Sequence, residues 1–405
     1  MNGLTQGAMW RRIAGPLFLF RAIGQGLEFL GWVVLARRLG ASTLGVLSIA
    51  FLIARYAGLL ADWGASIGGP RDVARDDIAR TRSRALVTHR RNLTVGLVVA
   101  FVMGCALSGH PDMAPVASVI AMLGLSRDWI AVGEHRGARA ALPLLVQGAF
   151  LFIIAGLYST KSTPAVAVSV AYGAAAVVSI LLNRLPPRPV VPVGNEHPKV
   201  PLQPWMLGAV MTNQILSSSD VLLLGVLGTT TATGVYSAVY RIPNGWLAGV
   251  SILAGALLPV ATAVSHDSSR FHALRRGALK VSVVAALLLV ALTPIVFFLI
   301  PRVFGQQFAS GQWPAVVLMG ATAVATAASP LHQFYLTSGN DRRYAGFLAF
   351  SAGTIITSGL LLIPMYSMVG AAFSTLIAHV VLASVLAFAV FGPDQDRRQE
   401  ERRRT

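Results

Sequence analysis

Several ionisable residues lie inside long apolar stretches of this sequence, where charged side chains are rare. Arg127 and Asp128 lie nearer the end of their stretch and are weaker candidates, and six others are stronger. They are the cations Arg21, Arg55 and Arg241 and the acids Glu28, Asp62 and Asp220. On insertion scales, an ionised side chain at the centre of a bilayer costs roughly 2.5–3.5 kcal/mol. Each of the six is therefore expected to pair with an opposite charge or to face a water-filled cavity.

The spacing of these residues matches acids with arginines. In each of the first two apolar stretches the cation and the acid are seven residues apart, which is two helical turns and places them on one face. If neighbouring stretches cross a membrane in opposite directions, opposite charges fall at equal depths. The pairs matched in this way are Arg21 with Asp62, Glu28 with Arg55, and Asp220 with Arg241.

Two interpretations of these charges remain open. In the first, they are structural ion pairs that let the helices insert and fix their register. In the second, they line a cavity, where the guanidinium groups of Arg21, Arg55 and Arg241 bind a phosphate-bearing substrate, since guanidinium matches phosphate bidentately. The acids would then exchange a proton or a sodium ion. The ion-coupling candidates are Glu28, Asp62 and Asp220.

The elements that must position these residues are apolar stretches about as long as a bilayer is thick. Only 12% of the residues are charged, and the mean hydropathy is +0.65. A spanning helix needs roughly 20 apolar residues. The sequence therefore predicts an all-α polytopic membrane protein with about 12 transmembrane helices. The predicted spans are 13–36, 43–66, 93–109, 113–133, 142–159, 164–183, 205–227, 233–263, 277–300, 313–337, 345–365 and 368–391.

Lys and Arg concentrate in alternate loops. They crowd the loop after the second span, the segment after the sixth and the C-terminal tail, whereas the opposite loops hold few. The positive-inside rule then places both termini in the cytoplasm, in a multi-pass inner-membrane protein. The net charge of +17 suits anionic lipid on that face, so no nucleic-acid partner is expected.

A proline-rich segment at 184–204 divides the spans six and six. The sequence LGASTLGVLSIAF from Leu39 and the sequence LGTTTATGVYSAVY from Leu227 form a weak repeat, and each joins the first two spans of its half. Such repeats are frequent in transporters. The predicted organisation is two pseudo-symmetric six-helix bundles with a linker and a tail, at 1–183, 184–204, 205–391 and 392–405.

Signatures of soluble enzymes are absent from the sequence. It contains no GxxxxGK[ST], HExxH, CxxC or GxSxG pattern, and its loops are short for a catalytic domain. The single cysteine, Cys105, allows neither a disulfide nor a cysteine-based metal site. His332 and His379 are expected to be packing or polar-contact residues. The protein is therefore not expected to be an enzyme or to hold a metal or another cofactor.

Several segments, taken together and in order, resemble one family along most of the chain. They are LARRLGASTLGVLSIAF at 35–51, LLADWGASIGGPRDVAR at 59–75, GLSRDWIAVGEHRGARAAL at 124–142, SSSDVLLLGVLGTTTATGVYSAVYRI at 217–242, FGQQFASGQWPAVVLMG at 304–320, and SGNDRRYAGFLAF with LIPMYSMVGAAFSTLIAHVV at 338–381. The chain resembles bacterial polysaccharide and oligosaccharide flippases of the O-antigen type, in the multidrug/oligosaccharidyl-lipid/polysaccharide exporter superfamily.

This resemblance implies an alternating-access transporter of twelve helices in two bundles. It implies transfer of undecaprenyl-diphosphate-linked oligosaccharide from the cytoplasmic to the outer leaflet, for cell-surface polysaccharide biosynthesis. The implied partners are that lipid-linked glycan, membrane lipids, and the polymerase and glycosyltransferases of the same pathway. Two alternatives remain: a drug/cation antiporter of the same superfamily, and a membrane-embedded glycan polymerase or ligase, which would need a longer external loop.

Overall fold

A computed structural model of the protein describes residues 6–66, 69, 78–134, 136–157, 163–183, 204–263, 268–336 and 341–392. These residues form helices and no β-strand. The helices are α1 (Gln6–Asp62), α2 (Ile78–Leu107), α3 (Ser118–Leu125), α4 (Asp128–Gly133), α5 (Gly137–Leu157), α6 (Val166–Leu182), α7 (Pro204–Leu227), α8 (Thr230–Ala263), α9 (Ser268–Phe304), α10 (Gln312–Leu336) and α11 (Asp341–Phe391). Two 3₁₀ helices, Pro111–Ala117 and Gln306–Gly311, precede α3 and α10.

Two of the long helices each contain two predicted spans. In α1 the backbone breaks at Gly40, whose φ of 79° lies in the left-handed region that glycine adopts without a steric penalty. In α11 it breaks at Ser367, with φ 50°. Both breaks fall between spans that the hydropathy pattern separates, so these turns confirm the sequence-based boundaries.

Eight of the described helical segments are long and apolar enough to cross a membrane. The lipid-facing character is clearest on α9, where Val281 is 70% exposed and Leu287 is 63% exposed. A continuous apolar face of this kind is unusual on a soluble protein. It is expected for a helix that contacts lipid, which confirms the all-α, multi-pass membrane fold.

Two predicted spans differ from the observed helices. The third was expected to begin at residue 93, but α2 begins at Ile78. The prediction missed its first four turns because they are polar and basic, and hydropathy does not identify such turns as part of a span. Arg90 therefore lies in a helix rather than in a loop. The fourth span, expected at 113–133, is interrupted: α3 ends at Leu125 and α4 begins at Asp128.

The chain divides into two compact units, Met1–Met211 and Thr212–Thr405. The proposed division into bundles at 1–183 and 205–391 stays a prediction, because the linker and most of the tail lie outside the described residues. The boundary between the compact units falls within α7.

In the first unit, α1 and α5 approach closely through glycine. A Cβ atom built on Gly148 would lie 2.1 Å from the carbonyl oxygen of Gly24, and one built on Gly31 would lie 2.8 Å from the side chain of Leu151. Small residues let helix backbones come this close in a membrane, where dispersion and packing rather than hydrophobic exclusion drive association. This contact holds the first part of α1, and with it Arg21 and Glu28, against α5.

In the second unit, the core joins α7, α10 and α11. Leu216 on α7 and Leu331 and Tyr335 on α10 pack against Leu348 and Leu382 on the two parts of α11. These side chains are all at most 6% exposed. The packing brings the middle of α7, which carries Asp220, next to the second part of α11.

Candidate functional site

A buried ion pair joins the end of α1 to α2 in the first unit. Arg90 Nη2 lies 2.8 Å from Asp62 Oδ1, with the side chains 1% and 5% exposed. The other carboxylate oxygen of Asp62 accepts hydrogen bonds from the backbone N–H and the hydroxyl of Ser66, at 3.1 and 2.7 Å. The expected partner of Asp62, Arg21, was therefore wrong. Arg90 takes that place because α2 begins early enough to carry it into the helical bundle.

Arg90 also binds the interruption between α3 and α4. Ser126 has a ψ of 145°, which is not helical and leaves carbonyl oxygens of the preceding turn without their usual partners. Arg90 donates from Nη1 to the oxygen of Ser126 at 3.0 Å and from Nη2 to the oxygen of Leu123 at 2.8 Å. One guanidinium thus stabilises both the broken helix and the carboxylate of Asp62.

Asp128 begins α4 on the other side of the interruption. Its Oδ1 accepts hydrogen bonds from the Ser179 hydroxyl at 2.6 Å and from Asn183 Nδ2 at 3.3 Å, both contributed by the end of α6. Its carboxylate also attracts the guanidinium groups of Arg21 and Arg90 electrostatically. The acid that interacts with Arg21 is therefore Asp128, which the sequence ranked below Asp62.

Glu28 is bound by a neutral donor. The phenol of Tyr172, on α6, donates a hydrogen bond to Glu28 Oε1 at 3.0 Å. The Tyr172 ring packs edge-on against Phe51, at 5.5 Å between centroids, and Phe51 packs edge-on against Trp32. This aromatic contact ties both parts of α1 to α6 around Glu28. The pairing of Glu28 with Arg55 stays a prediction.

The candidate cations of the first unit differ in how far their side chains are exposed. Arg21 is half-buried and Arg55 is exposed on α1. Arg127, at the interruption, has a buried Nε atom without a hydrogen-bond partner among the described residues. Guanidinium groups that retain accessible donors can bind a bidentate anion such as phosphate. Arg21 and Arg55 stay predicted substrate-binding cations, whereas the two terminal nitrogens of Arg90 already bind Asp62 and the carbonyl oxygens of Leu123 and Ser126.

The second unit contains a fully buried carboxylate. Asp220 is 0% exposed. Its Oδ2 accepts hydrogen bonds from the phenol of Tyr236 on α8 at 2.6 Å and from the hydroxyl of Thr375 on α11 at 2.8 Å. Its Oδ1 accepts one from the backbone N–H of Val221 at 2.8 Å. Asp220 thus joins three helices through neutral donors.

The expected pairing of Asp220 with Arg241 was wrong. Arg241 follows the phenol donor Tyr236 by five residues, which is about 140° around the helix and roughly 7.5 Å along it. The same helix therefore cannot direct both side chains at one carboxylate. Matching by depth alone missed this difference in direction. Arg241 is half-buried in α8 and stays a predicted substrate-binding cation.

Polar but uncharged groups surround Asp220. The rings of Tyr236 and Tyr240 stack with centroids 5.8 Å apart, and the Tyr240 phenol donates to the carbonyl oxygen of Ser217. Gln214 donates to the Ser218 hydroxyl at 2.7 Å one turn away on α7. A carboxylate held only by neutral donors can gain or lose a proton without breaking an ion pair. Asp220 is therefore better suited to reversible protonation than Asp62.

Four important residues were missed or undervalued from the sequence: Arg90, Asp128, Tyr236 and Thr375. Arg90 was placed in a loop by the hydropathy boundary, and a helical continuation upstream of residue 93 was the signal that could have found it. Tyr236 and Thr375 carry no charge, so that nothing in the sequence distinguishes them from lipid-facing neighbours. Among the described residues, no three His, Cys, Asp or Glu side chains cluster as metal ligands.

No family model and no curated protein matches the sequence. Solved structures do match its fold. The chain is similar to the lipid II flippase MurJ in an inward closed conformation, with a TM-score of 0.68 and 12% identity over 93% of this chain and 87% of that one. It is similar to an outward-facing multidrug resistance MATE family transporter of the MOP superfamily, with a TM-score of 0.59 and 13% identity over 94% and 93%.

A third similar structure is a MOP superfamily transporter from Pyrococcus furiosus, described as having a binding pocket of reversed polarity. Its TM-score is 0.61 and its identity 14%, over 95% of this chain and 97% of that one. These likenesses run nearly end to end, so the chain has the fold shared by MOP superfamily transporters. The sequence-based resemblance to this superfamily is confirmed at the level of the fold.

Proposed function

We propose that this protein is a membrane flippase that moves undecaprenyl-diphosphate-linked oligosaccharide from the cytoplasmic to the outer leaflet by alternating access. The observation that carries the proposal is the presence of arginines within α1 of a fold shared with a lipid II flippase. A cavity that binds a lipid diphosphate must offer cations inside the membrane. Drug cations would be repelled by the same groups.

In this mechanism the cations proposed to bind the diphosphate are Arg21 and Arg55 in the first unit and, separately, Arg241 in the second. The Asp128 carboxylate attracts the Arg21 guanidinium electrostatically. A diphosphate offers two charged groups and several acceptor oxygens, so that it competes with a single carboxylate for Arg21. The prenyl chain remains in the lipid while the glycan crosses.

The ion-coupling site of this mechanism is Asp220. It is buried and bound by neutral donors, so a proton can bind and leave without displacing a cation. Glu28, held by the phenol of Tyr172, is a second coupling group of the same kind in the first unit. Asp62 is a weaker one, because it is already paired with Arg90.

A drug/cation antiporter is the second candidate function. The likeness to a multidrug resistance MATE family transporter, at a TM-score of 0.59, favours it, and Asp220 would serve a proton-driven antiporter equally well. A glycan polymerase or ligase is supported less, because the neighbouring folds are those of transporters and flippases. The proposed site is the bacterial inner membrane with both termini cytoplasmic.

The function is tested in a deletion strain. We expect lipid-linked oligosaccharide to accumulate in the cytoplasmic leaflet and surface polysaccharide to be lost, with both restored by the intact chain. Purified protein in liposomes should also transfer a fluorescent prenyl-diphosphate glycan between leaflets. Sensitivity to cationic drugs without any change in lipid-linked glycan would reject the flippase and favour the antiporter.

A further inference from the structure

A cluster of three titratable side chains lies in the second unit, outside the groups assigned above. His332 is on α10, Tyr344 is in the first turn of α11, and His379 is in the second part of α11. The Nδ1 atom of His332 lies 2.8 Å from the Tyr344 hydroxyl, and the two rings meet at 85°. Leu331 and Ala378, the chain neighbours of His332 and His379, pack in one buried cluster. All three side chains are half-buried.

His379 connects this cluster to Asp220 through one residue. Its Nδ1 atom lies 2.9 Å from the carbonyl oxygen of Thr375, and the Thr375 hydroxyl donates to Asp220 Oδ2 at 2.8 Å. Thr375 and His379 are one helical turn apart and therefore lie on one face of α11. His379 is thus the first titratable residue on α11 after Thr375, the residue through which α11 contacts Asp220.

The cluster extends towards the start of α11, which carries Arg342 and Arg343 and is called the basic end of the second unit. His332 lies one turn before the end of α10 at Leu336, and Tyr344 follows Arg342 and Arg343 directly. At the C-terminal end of α11, Arg275 of α9 donates to the carbonyl of Val390 at 3.4 Å. The order of groups is therefore Asp220 in the interior, then His379, His332 and Tyr344, with the last of them at the helix ends that carry arginines.

The acceptor fixes the tautomer of His379. A backbone carbonyl only accepts hydrogen bonds, so Nδ1 carries the proton and Nε2 of the neutral ring is a free base. His332 shares its Nδ1 atom with a phenol, which both donates and accepts, so that this ring can pass a proton in either direction. The Tyr335 ring stacks on Tyr344, with the ring centroids 6.3 Å apart.

We propose that His379 and His332, with Tyr344, form a proton-transfer site between Asp220 and the basic end of the second unit. This inference rests on the proposed ion coupling at Asp220. The protonated acid of Asp220 gives its proton, through water, to Nε2 of His379, which leaves a carboxylate and an imidazolium. His379 then passes the proton, again through water, to His332. From there it leaves to bulk water beside Tyr344, and each ring returns to its neutral form.

Neutral side chains from α8, α10 and α11 lie beside this path. Tyr236 from α8 and Thr375 from α11 donate to Asp220, and the Tyr240 ring stacks on Tyr236. Tyr344 and Tyr335 face His332. None of these side chains is a cation, and Arg342 and Arg343 lie at the exit of the path, directly before Tyr344.

A purely structural role for the histidines gives a different expectation. Two imidazoles that only join α10 to α11 would affect folding, and glutamine, a neutral polar residue of similar reach, would replace them without changing any pH dependence. A metal role would need a third ligand, and the described residues offer no such cluster. The proposal therefore predicts a pH effect in variants that stay folded.

The test is flipping by the intact protein in liposomes, with the pH of each side set independently. In the variants His332→Gln and His379→Gln we expect the proton-driven rate to fall on the order of 100-fold, the contribution typical of a positioned acid–base group. Flipping down a substrate gradient at equal pH should persist. The matched control is His272→Gln, in α9 of the same unit, whose imidazole contacts Arg275 instead and whose loss should leave both rates unchanged.

The outcomes separate this inference from the function it rests on. If Asp220→Asn abolishes the proton-driven rate and both histidine variants keep it, the transfer site is rejected and the coupling at Asp220 stands. If Asp220→Asn also keeps it, the proposed coupling is rejected, and the transfer site with it. A glycan-lipid transfer rate of zero in the unaltered protein would reject the flippase itself.

A second measurement avoids the risk that a variant fails to fold. Nitrogen-15 spectra of histidine in the unaltered protein should show His332 and His379 titrating as a coupled pair. The Asp220→Asn variant should change the titration of His379 more than that of His272. A titration of His379 that is the same in the unaltered protein and in the Asp220→Asn variant would overturn the proposal.

Discussion

Arg90 and Asp62 form a buried ion pair in which Arg90 Nη2 lies 2.8 Å from Asp62 Oδ1, and the arginine side chain is 1% exposed. The same guanidinium group reaches two carbonyl oxygens at the interruption between α3 and α4. One side chain thus connects the end of α1, the middle of α2 and a broken helix. The pair is fully enclosed by the first unit and is not free to bind substrate.

Substitution of Arg90 by alanine is expected to destabilise the protein strongly. It leaves the Asp62 carboxylate buried without its cation and two carbonyl oxygens without donors, and removal of one partner of a buried pair costs about 3–5 kcal/mol. The measurement is the apparent melting temperature of purified protein in detergent. The control is Arg91→Ala, because Arg91 is the next residue but is exposed. Equal melting temperatures for the two variants would contradict the structural role of Arg90.

Substitution of Gly148 by alanine is also expected to lower stability. Alanine is favoured over glycine in a helix interior by about 1 kcal/mol, but here its Cβ atom would meet the Gly24 carbonyl oxygen at 2.1 Å. Helices α1 and α5 must therefore separate. The control is Gly156→Ala on the same helix, where a Cβ atom meets nothing within 4 Å and the helix preference alone should act. A rise in melting temperature for both variants would show that the contact can relax.

The sequence was sufficient for the class of fold and for most helix boundaries, because long apolar stretches and the turns at Gly40 and Ser367 follow from local hydropathy and backbone preference. It was insufficient for the partners of the buried charges. Depth along a helix can be read from residue number, but the direction in which a side chain points depends on packing. Matching residues by depth along their helices therefore gave Asp62 and Asp220 the wrong partners.

The sequence missed these partners for two physical reasons. Arg90 lies in a polar helical extension that hydropathy cannot distinguish from a loop. Tyr236, Thr375 and Tyr172 are neutral donors, and a membrane helix contains many such residues whose direction is unknown before the bundle is assembled. In the first unit the carboxylate of Asp62 is paired with a cation, whereas in the second the carboxylate of Asp220 is bound by neutral donors. This difference depends on how the helices pack against one another.

Arg21 and Arg55 are expected to affect transport more than folding. Arg21→Ala and Arg55→Ala should each reduce glycan export while the amount of protein in the membrane is kept, because these cations are half-buried and exposed, respectively, rather than enclosed. Lysine at either position should restore export only partly, since it lacks the planar fork that binds phosphate bidentately. Export and membrane abundance are measured in the same cells.

The control for these two variants is Arg37→Ala. Arg37 is also an exposed arginine of α1, but it lies next to the break at Gly40 rather than inside the apolar part of either predicted span. Its loss should leave export near the level of the unaltered protein. If Arg21→Ala and Arg55→Ala instead remove the protein from the membrane, the structural ion-pair interpretation of these arginines is favoured and their role in substrate binding is rejected.

The predicted topology can be tested by labelling single cysteines. Cys105 is buried, and replacing it by alanine provides a background without cysteine. A cysteine introduced at 70–77, in the linker at 184–204 or in the C-terminal tail should react only with reagents that reach the cytoplasm. One introduced at Gly109 or at Gln306 should react from outside. External labelling of the linker would overturn the division into six and six spans.

Asp220 is expected to determine the response to an ion gradient. The variant Asp220→Asn cannot exchange a proton, but its amide oxygen can still accept from Tyr236 and Thr375. Its NH2 group replaces the oxygen that accepts from the backbone N–H of Val221, so the amount of folded protein is measured alongside. We expect the variant to bind lipid-linked glycan and to lose gradient-driven flipping. Collapsing the proton gradient should slow the unaltered protein to the rate of this variant.

Two comparisons decide whether Asp220 acts by protonation or only holds helices together. Tyr236→Phe removes the 2.6 Å hydrogen bond to Asp220 but leaves the carboxyl group, so it should shift the pH dependence of flipping and retain gradient drive. Asp112→Asn, at an exposed acid in the 3₁₀ helix before α3, should change neither. A carboxylate that exchanges ions during transport must make the flipping rate depend on the proton or the sodium gradient. If the flipping rate of the unaltered protein depends on neither gradient, Asp220 is structural.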